Sequence, residues 1–258
     1  MLKVQQIPAL SDNYIYLIHE PVTGATAAVD PAEAEAVLEV LAAKAWNLTV
    51  ILNTHHHSDH VGGNLALKQR TGCAIVGSHW DRERGRIPGI DRGIGDGDVI
   101  PLGRASARVL SVPGHTLGHV AYQFAHEALL FCGDTLFGMG CGRLFEGSAE
   151  QMWASLSKLR GLPPDTKVYC AHEYTEANGR FALSLEPGNA DLVARMRDVE
   201  ALRRHGRPTV PFTLGEETAT NPFLRPQSAP LRAVLGLMEA DDVDVFAEIR
   251  RRKDGFRG

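Results

Sequence analysis

The densest chemistry in the chain lies in Thr54-His55-His56-His57-Ser58-Asp59-His60, where four imidazoles and a carboxylate occupy seven positions. An apolar run, Leu48-Thr49-Val50-Ile51-Leu52, precedes it and reads as a buried strand, and Val61-Gly62-Gly63-Asn64 follows as the start of a helix. In a backbone that leaves the strand extended, side chains alternate. His55 and His57 then point one way and His56 the other, with Asp59 and His60 on the turn into the helix. A chance surface cluster is the bland alternative, but a His-rich tract at a strand end is what metal binding requires. Three more candidates follow apolar runs further on: His115 in Pro113-Gly114-His115-Thr116, Asp134 in Cys132-Gly133-Asp134-Thr135, and His172 in Cys170-Ala171-His172-Glu173. Taken singly, each is an ordinary turn or capping residue. Joined to the first motif they make five histidines and two aspartates, enough for two metal ions with positions left open for water and substrate.

The elements that must position these residues are legible around them. Residues 3–7 and 14–18 predict an antiparallel pair split by the turn cluster Ser11-Asp12-Asn13, and Ala27-Ala28-Val29 a short strand ending at Asp30-Pro31. Ala34, Val37, Leu38, Leu41 and Ala45 recur at helical spacing, so 32–45 is an amphipathic helix. A helix to about Arg70 follows the histidines, then a strand at 73–76. Residues 81–97, rich in Gly, Arg and Asp, read as a loop, and 98–101, 107–112, 119–124, 128–132 and 167–170 as strands. From about Tyr174 the chain turns helical, at 176–185, 190–205, 230–239 and 243–251, with a proline-studded loop over 206–226. Strands first, helices inserted, then strands again predict two packed sheets with helices outside, an α/β (α+β) architecture. We place a boundary near residue 173, giving a catalytic domain over 1–173 and a helical domain over 174–258.

Composition narrows the function classes. An apolar fraction of 44% with 22% charged residues suits a soluble globular chain with a sizeable core. A net charge of −4 gives nucleic-acid binding no support. Cys73, Cys132, Cys141 and Cys170 show no C-x-x-C spacing, which argues against a disulfide framework or a cysteine zinc site and suits a reducing compartment. The start of the sequence lacks a signal-peptide apolar region and no run reaches membrane-span length, so a cytoplasmic protein is expected.

The spelling of the motifs carries a resemblance. His55-x-His57-x-Asp59-His60 with His115, Asp134 and His172 resembles the metallo-β-lactamase superfamily, whose fold is a four-layer αββα sandwich. Thr54 to Gly63, Pro113-Gly114-His115-Thr116, Cys132-Gly133-Asp134-Thr135-Leu136-Phe137, Gly140-Cys141-Gly142-Arg143, His172-Glu173-Tyr174-Thr175, Asn221-Pro222-Phe223-Leu224-Arg225 and the tail Arg250-Arg251-Arg252-Lys253-Asp254 are similar to the glyoxalase II (hydroxyacylglutathione hydrolase) family, over essentially the whole chain. The resemblance implies one metal on His55, His57 and His115, a second on Asp59, His60 and His172, and Asp134 bridging them. It implies two divalent ions, zinc first, with iron or manganese accommodated, since N/O ligation suits several.

The implied chemistry is hydrolysis of S-(2-hydroxyacyl)glutathione thioesters, chiefly S-D-lactoylglutathione, to D-lactate and glutathione in methylglyoxal detoxification. A water held between the metals, with Asp59 and Asp134 among their ligands, becomes a hydroxide because a bound cation lowers its pKa from 15.7 to about 7. No serine or cysteine nucleophile is then required, and Cys141 is expected to be a packed small residue. The substrate's carboxylates call for positive charge. Arg143, Tyr174, Arg250 and Lys253 match the family's substrate contacts, the last two lying three apart on one helix face. The competing expectation for Arg250 to Lys253 is a solvated charge run. Phe145 departs from the tyrosine that many relatives carry there and cannot donate a hydroxyl hydrogen bond. His56 and His119 are expected to support ligands, and His19, His79, His126 and His205 to be surface or cap residues. The partner is a small-molecule thioester, with neither nucleic acid nor membrane, and the chain is expected to act as a monomer. A persulfide dioxygenase with a mononuclear iron site is the alternative within the superfamily.

Overall fold

The computed structural model describes residues 1–257, which divide into two compact units, Met1–Ser111 with Leu117–Gly133, and Val112–Thr116 with 134–257. The first unit opens with β1 (Lys3–Ala9), β2 (Asn13–His19) and β3 (Ala25–Val29), an antiparallel meander. Helix α1 (Ala34–Lys44) then crosses over to β4 (Asn47–Leu52), which lies parallel to β3. Helices α2 (Ser58–Val61) and α3 (Asn64–Thr71) lead to β5 (Ala74–Ser78), and α4 (His79–Glu83) to β6 (Arg92–Ile94), both strands joining in parallel. Parallel neighbours need such crossovers. A second sheet follows in the order β10 (Leu129–Gly133), β9 (Val120–Phe124), β8 (Ala105–Ser111), β7 (Val99–Leu102), antiparallel throughout.

Strand β2 shows how this unit packs, since all seven of its residues are buried. Ile15 and Leu17 point to one side, into a cluster with Val37 and Leu41 of α1, Ile51 of β4, Leu67 of α3 and Ile75 of β5. Tyr14 and Tyr16 alternate to the other side, where the Tyr16 ring meets Phe131 of β10 edge-on at 5.5 Å. Helices therefore cover one face of the first sheet and the second sheet covers the other. Complete burial of β2 also accounts for His19, which is not the surface residue that its isolation in sequence predicts. It is 8% exposed, its ring stacks on Trp46 at 4.3 Å, and Nδ1 lies 2.9 Å from the Thr26 hydroxyl.

The second unit carries the hairpin β11 (Leu136–Phe137) and β12 (Gly140–Cys141), helix α5 (Ala149–Arg160), strand β13 (Lys167–Cys170) paired with β14 (Phe212–Thr213), and helices α6 (Thr175–Leu185), α7 (Ala190–Arg204), α8 (Leu214–Thr220), α9 (Ala229–Leu235) and α10 (Asp242–Asp254). Four stretches differ from the sequence expectation. Within 81–97 lie the end of α4 and all of β6, and 206–226 holds β14 and α8. Helix α5 was not anticipated, although Ser148 and Gln151 form a reciprocal capping box at its start and Met152, Leu156 and Leu159 form its buried face. The helix expected over 230–239 stops at Leu235 because Gly236 adopts a left-handed φ of +73° and caps it.

Candidate metal centre

In the first unit the histidine loop leaves β4 with little freedom. A Cβ at Gly62 would stand 2.6 Å from the Ala32 carbonyl oxygen, and one at Gly63 2.7 Å from that of Pro31. Only glycines permit this approach, and the Gly-Gly break separates α2 from α3. The Gly63 N–H donates to Pro31 O at 2.8 Å, fastening the turn after β3 to the histidine loop.

That turn presents Asp30, 3% exposed, which sequence reasoning passed over. Its carboxylate accepts from Thr54 N at 2.7 Å, from Thr54 Oγ1 at 2.6 Å and from His60 Nδ1 at 3.0 Å. A carboxylate only accepts, so His60 carries its proton on Nδ1 and keeps the Nε2 lone pair for another partner. The Thr54 hydroxyl spends its proton on Asp30, so it accepts from His55 Nδ1 at 3.1 Å, and His55 likewise keeps Nε2 for ligation. One aspartate thus sets two tautomers, the arrangement metal-ligating histidines use. The signal was available, because Asp30 ends a strand as Asp134 does.

The ligating atoms face one another. His55 Nε2 lies 3.0 Å from His57 Nδ1, and His60 Nε2 lies 3.5 Å from Asp59 Oδ2. Asn13 Nδ2 donates to that same Asp59 oxygen at 3.0 Å. His56 turns away as alternation predicts, with Nδ1 3.2 Å from Asp81 Oδ1, and the His119 ring stacks on His55 at 4.7 Å. Both therefore support the loop.

The second unit supplies a carboxylate between two imidazoles. His115 Nε2 lies 3.3 Å from Asp134 Oδ2, and His172 Nε2 lies 3.3 Å from Asp134 Oδ1, so each oxygen addresses a different histidine. His115 Nδ1 donates to the Arg143 carbonyl at 2.9 Å, which fixes its tautomer in the same sense. Asp134, His115 and His172 are all buried. Two ligands at about 2.1 Å from a tetrahedral ion stand about 3.4 Å apart. The pairs found in each unit have that spacing, and nitrogen with carboxylate oxygen is a donor set that suits zinc, iron and manganese. The residues fit divalent ions.

The expected substrate residues also lie in the second unit. Arg143 is exposed. The Tyr174 ring stacks on His172 at 4.8 Å with 2° between planes, and Phe145, 63% exposed, sets its ring 5.2 Å from that of His115. The tail is not a solvated charge run. Arg250 is 5% exposed, donates to the Cys141 carbonyl at 2.9 Å and pairs with Asp254 at 2.8 Å. Lys253 donates to Ala177 O at 3.2 Å, and burial, reinforced by Arg250, Arg180 and Arg143, pushes its pKa down to about 8. Arg251 and Arg252 instead pair with Glu248. Cys141 is a buried thiol whose pKa burial pushes up to about 11, so it stays protonated and no nucleophile is made there.

The two half-sites and the mixed α/β fold define a metal-dependent hydrolase of the metallo-β-lactamase type, and comparison with known proteins agrees. The profile of the metallo-beta-lactamase superfamily matches residues 15–172, and that of the hydroxyacylglutathione hydrolase C-terminus matches residues 173–256. The chain is 66% identical to the hydroxyacylglutathione hydrolase of Methylococcus capsulatus over the full length of both, and 55% identical to that of Rhodospirillum rubrum over 99% of each. A solved structure described as TTHA1623 in a di-iron-bound form superposes with a TM-score of 0.61 at 26% identity, covering 84% of this chain and 98% of that one. The chain belongs to the hydroxyacylglutathione hydrolase family, within the metallo-β-lactamase superfamily.

Proposed function

We propose that the chain hydrolyses S-(2-hydroxyacyl)glutathione thioesters, chiefly S-D-lactoylglutathione, to the hydroxy acid and free glutathione. The observation that carries this reading is the hydroxyacylglutathione hydrolase family's match along the whole chain, tail included, on top of a His/Asp cluster suited to divalent ions. His55, His57 and His115 would hold one ion, Asp59, His60 and His172 the other, and Asp134 would be shared by both. The approaches within each unit, of His57 to His55, of Asp59 to His60, and of His115 and His172 to the two oxygens of Asp134, support this division. Two ions, zinc by preference, form part of the proposal.

When bound, the ions supply Lewis acidity, acidifying water and polarising the thioester carbonyl. The residues do the rest. Asp30 and the Arg143 carbonyl hold imidazole protons away from the ligating nitrogens. Asp59 and Asp134 add negative charge that holds the cations and tempers their acidity. Arg143 and Lys253 attract the substrate's carboxylates, Tyr174 gives the glutathione an aromatic wall, and residues 174–258 form the domain that receives it. Four buried cysteine thiols suit a reducing cytoplasm, and the small-molecule substrate needs no second chain, so the protein acts there as a monomer. The dioxygenase alternative is not favoured, since the close full-length relatives carry the hydrolase name. The test is free thiol release from S-D-lactoylglutathione set beside oxygen uptake with glutathione persulfide. Thiol release without oxygen uptake supports the hydrolase, and the reverse pattern overturns it.

A further inference from the structure

In the second unit a buried polar network lies well away from any expected ligand. Glu217 of α8 is fully buried, and Arg195 of α7 pairs with its Oε1 while donating to Thr220 Oγ1 at 2.6 Å. The other oxygen, Oε2, accepts from the backbone N–H of Met139 at 2.9 Å and from Asn221 Nδ2 at 2.8 Å. Asn221 Nδ2 donates in addition to Gly140 O at 3.0 Å and Phe137 O at 3.3 Å. The bonds to Met139 N, Gly140 O and Phe137 O tie this network to the backbone of the β11–β12 hairpin, whose tip holds Met139 at a left-handed φ of +54° that a non-glycine residue adopts only when its surroundings enforce it. The tip packs closely as well, for a Cβ at Gly140 would fall 2.3 Å from Asn178 Nδ2.

The two feet of this hairpin carry part of the candidate site. Asp134 precedes it by two residues. Gly142 and Arg143 follow it, and the Gly142 N–H closes its base on Thr135 O at 3.3 Å. A Cβ at Gly142 would overlap the Asp134 carbonyl oxygen at 2.0 Å and press on His115 Nδ1 at 3.1 Å. The Arg143 carbonyl fixes the His115 tautomer. A shift of the hairpin therefore moves the carboxylate that addresses two histidines together with the acceptor that orients one of them.

We propose that Glu217 and Asn221 are positioning residues for metal binding, holding the 136–141 hairpin so that Asp134 and the Arg143 carbonyl meet His115 and His172 in ligating geometry. This rests on the metallohydrolase reading above. Breaking a fully satisfied buried network leaves donors unpaired and lets the hairpin tip relax, and the loss appears at the ions before it appears at the substrate's carboxylates.

The test uses Asn221→Asp, which removes both backbone donations and sets a second carboxylate against Glu217, and Glu217→Gln, which keeps the shape but not the charge. Val37→Ala, a cavity in α1 of the other unit, serves as the control for lost stability alone. Zinc affinity of the apoprotein is read by chelator competition, with kcat and KM at saturating zinc. The expected result is zinc binding weakened at least tenfold and kcat lowered about tenfold, with KM within about twofold, in both variants but not in Val37→Ala. Wild-type zinc affinity in variants whose melting temperatures fall as far as that of the control overturns the proposal. Should neither variant fold, amide exchange in the wild type decides, because zinc is expected to slow exchange at Met139 and Gly142, and exchange there indifferent to zinc refutes the coupling. A wild-type chain that binds no zinc and cleaves no thioester would instead refute the functional reading itself.

Discussion

Asp30→Asn separates the orientation of ligands from their presence. In the native chain the carboxylate accepts three bonds, from Thr54 N, Thr54 Oγ1 and His60 Nδ1. The amide is nearly the same shape, and its oxygen can keep the Thr54 N–H. Its NH2 group then occupies the place of the oxygen that served the hydroxyl and the imidazole. Two donors now face donors, and the relay has to reverse. His60 must accept on Nδ1 and carry its proton on Nε2. The Thr54 hydroxyl, now receiving from the amide, donates to His55 Nδ1 and sends that proton to Nε2 as well. Both nitrogens expected to ligate are blocked at once. Loss of a single such orienting contact costs about 10–100-fold in metal affinity, so two histidines reversed together predict a loss of about 100-fold or more. Stability falls less. Charge-assisted bonds are roughly twice as strong as neutral ones, so weakening three of them costs about 2–3 kcal/mol. The assay is zinc competition against a chromophoric chelator, with thermal melting of the apoprotein to size the structural cost. A folded Asp30→Asn protein with wild-type zinc affinity would refute the tautomer argument.

Substrate affinity should depend on pH through Lys253. Its pKa is lowered to about 8 by burial first and then by Arg250, Arg180 and Arg143, so the cation is fully present below that pH and is lost as pH rises through it. KM for the thioester is expected to rise between pH 7 and 9.5 in the wild type and to stay level in Lys253→Ala, and identical profiles would contradict the assignment. Arg250→Ala, by contrast, removes a buried guanidinium bound to the Cys141 carbonyl and Asp254. A loss of about 1–3 kcal/mol in denaturant unfolding is expected alongside weaker binding, and unchanged stability would mean that the tail contact is incidental. Cys141→Ser should keep kcat within a few-fold, and iodoacetamide should leave the native protein active at pH 8, since the thiol stays protonated to about pH 11. Inactivation that tracks alkylation of Cys141 would overturn that reading.

Much of the candidate site's geometry was legible because the residues expected to ligate metal carry type and spacing together. A strand period of two put His55 and His57 on one side and turned His56 toward Asp81, and the strand-end positions of His115, Asp134 and His172 proved to be a carboxylate between two imidazoles. What escaped was held by partners remote in sequence. Asp30 reaches His60 across 30 positions, and Glu217 reaches Met139 across 78. Neither has a local periodicity to announce it. For Arg250 to Lys253 the competing expectation of a solvated run fails, because the fold buries its first member against Cys141. The short elements inside 81–97 and 206–226 were missed for a related reason, since segments of two to seven residues are decided by tertiary contacts more than by propensity.

The central claim is that this chain cleaves a glutathione thioester with two bound metal ions. It is tested most directly by following S-D-lactoylglutathione hydrolysis with the purified protein while counting metal in the same sample. The account predicts rapid hydrolysis with about two ions per chain, lost on chelation and restored by adding zinc back. A fully metallated, folded sample that leaves the thioester intact would contradict it.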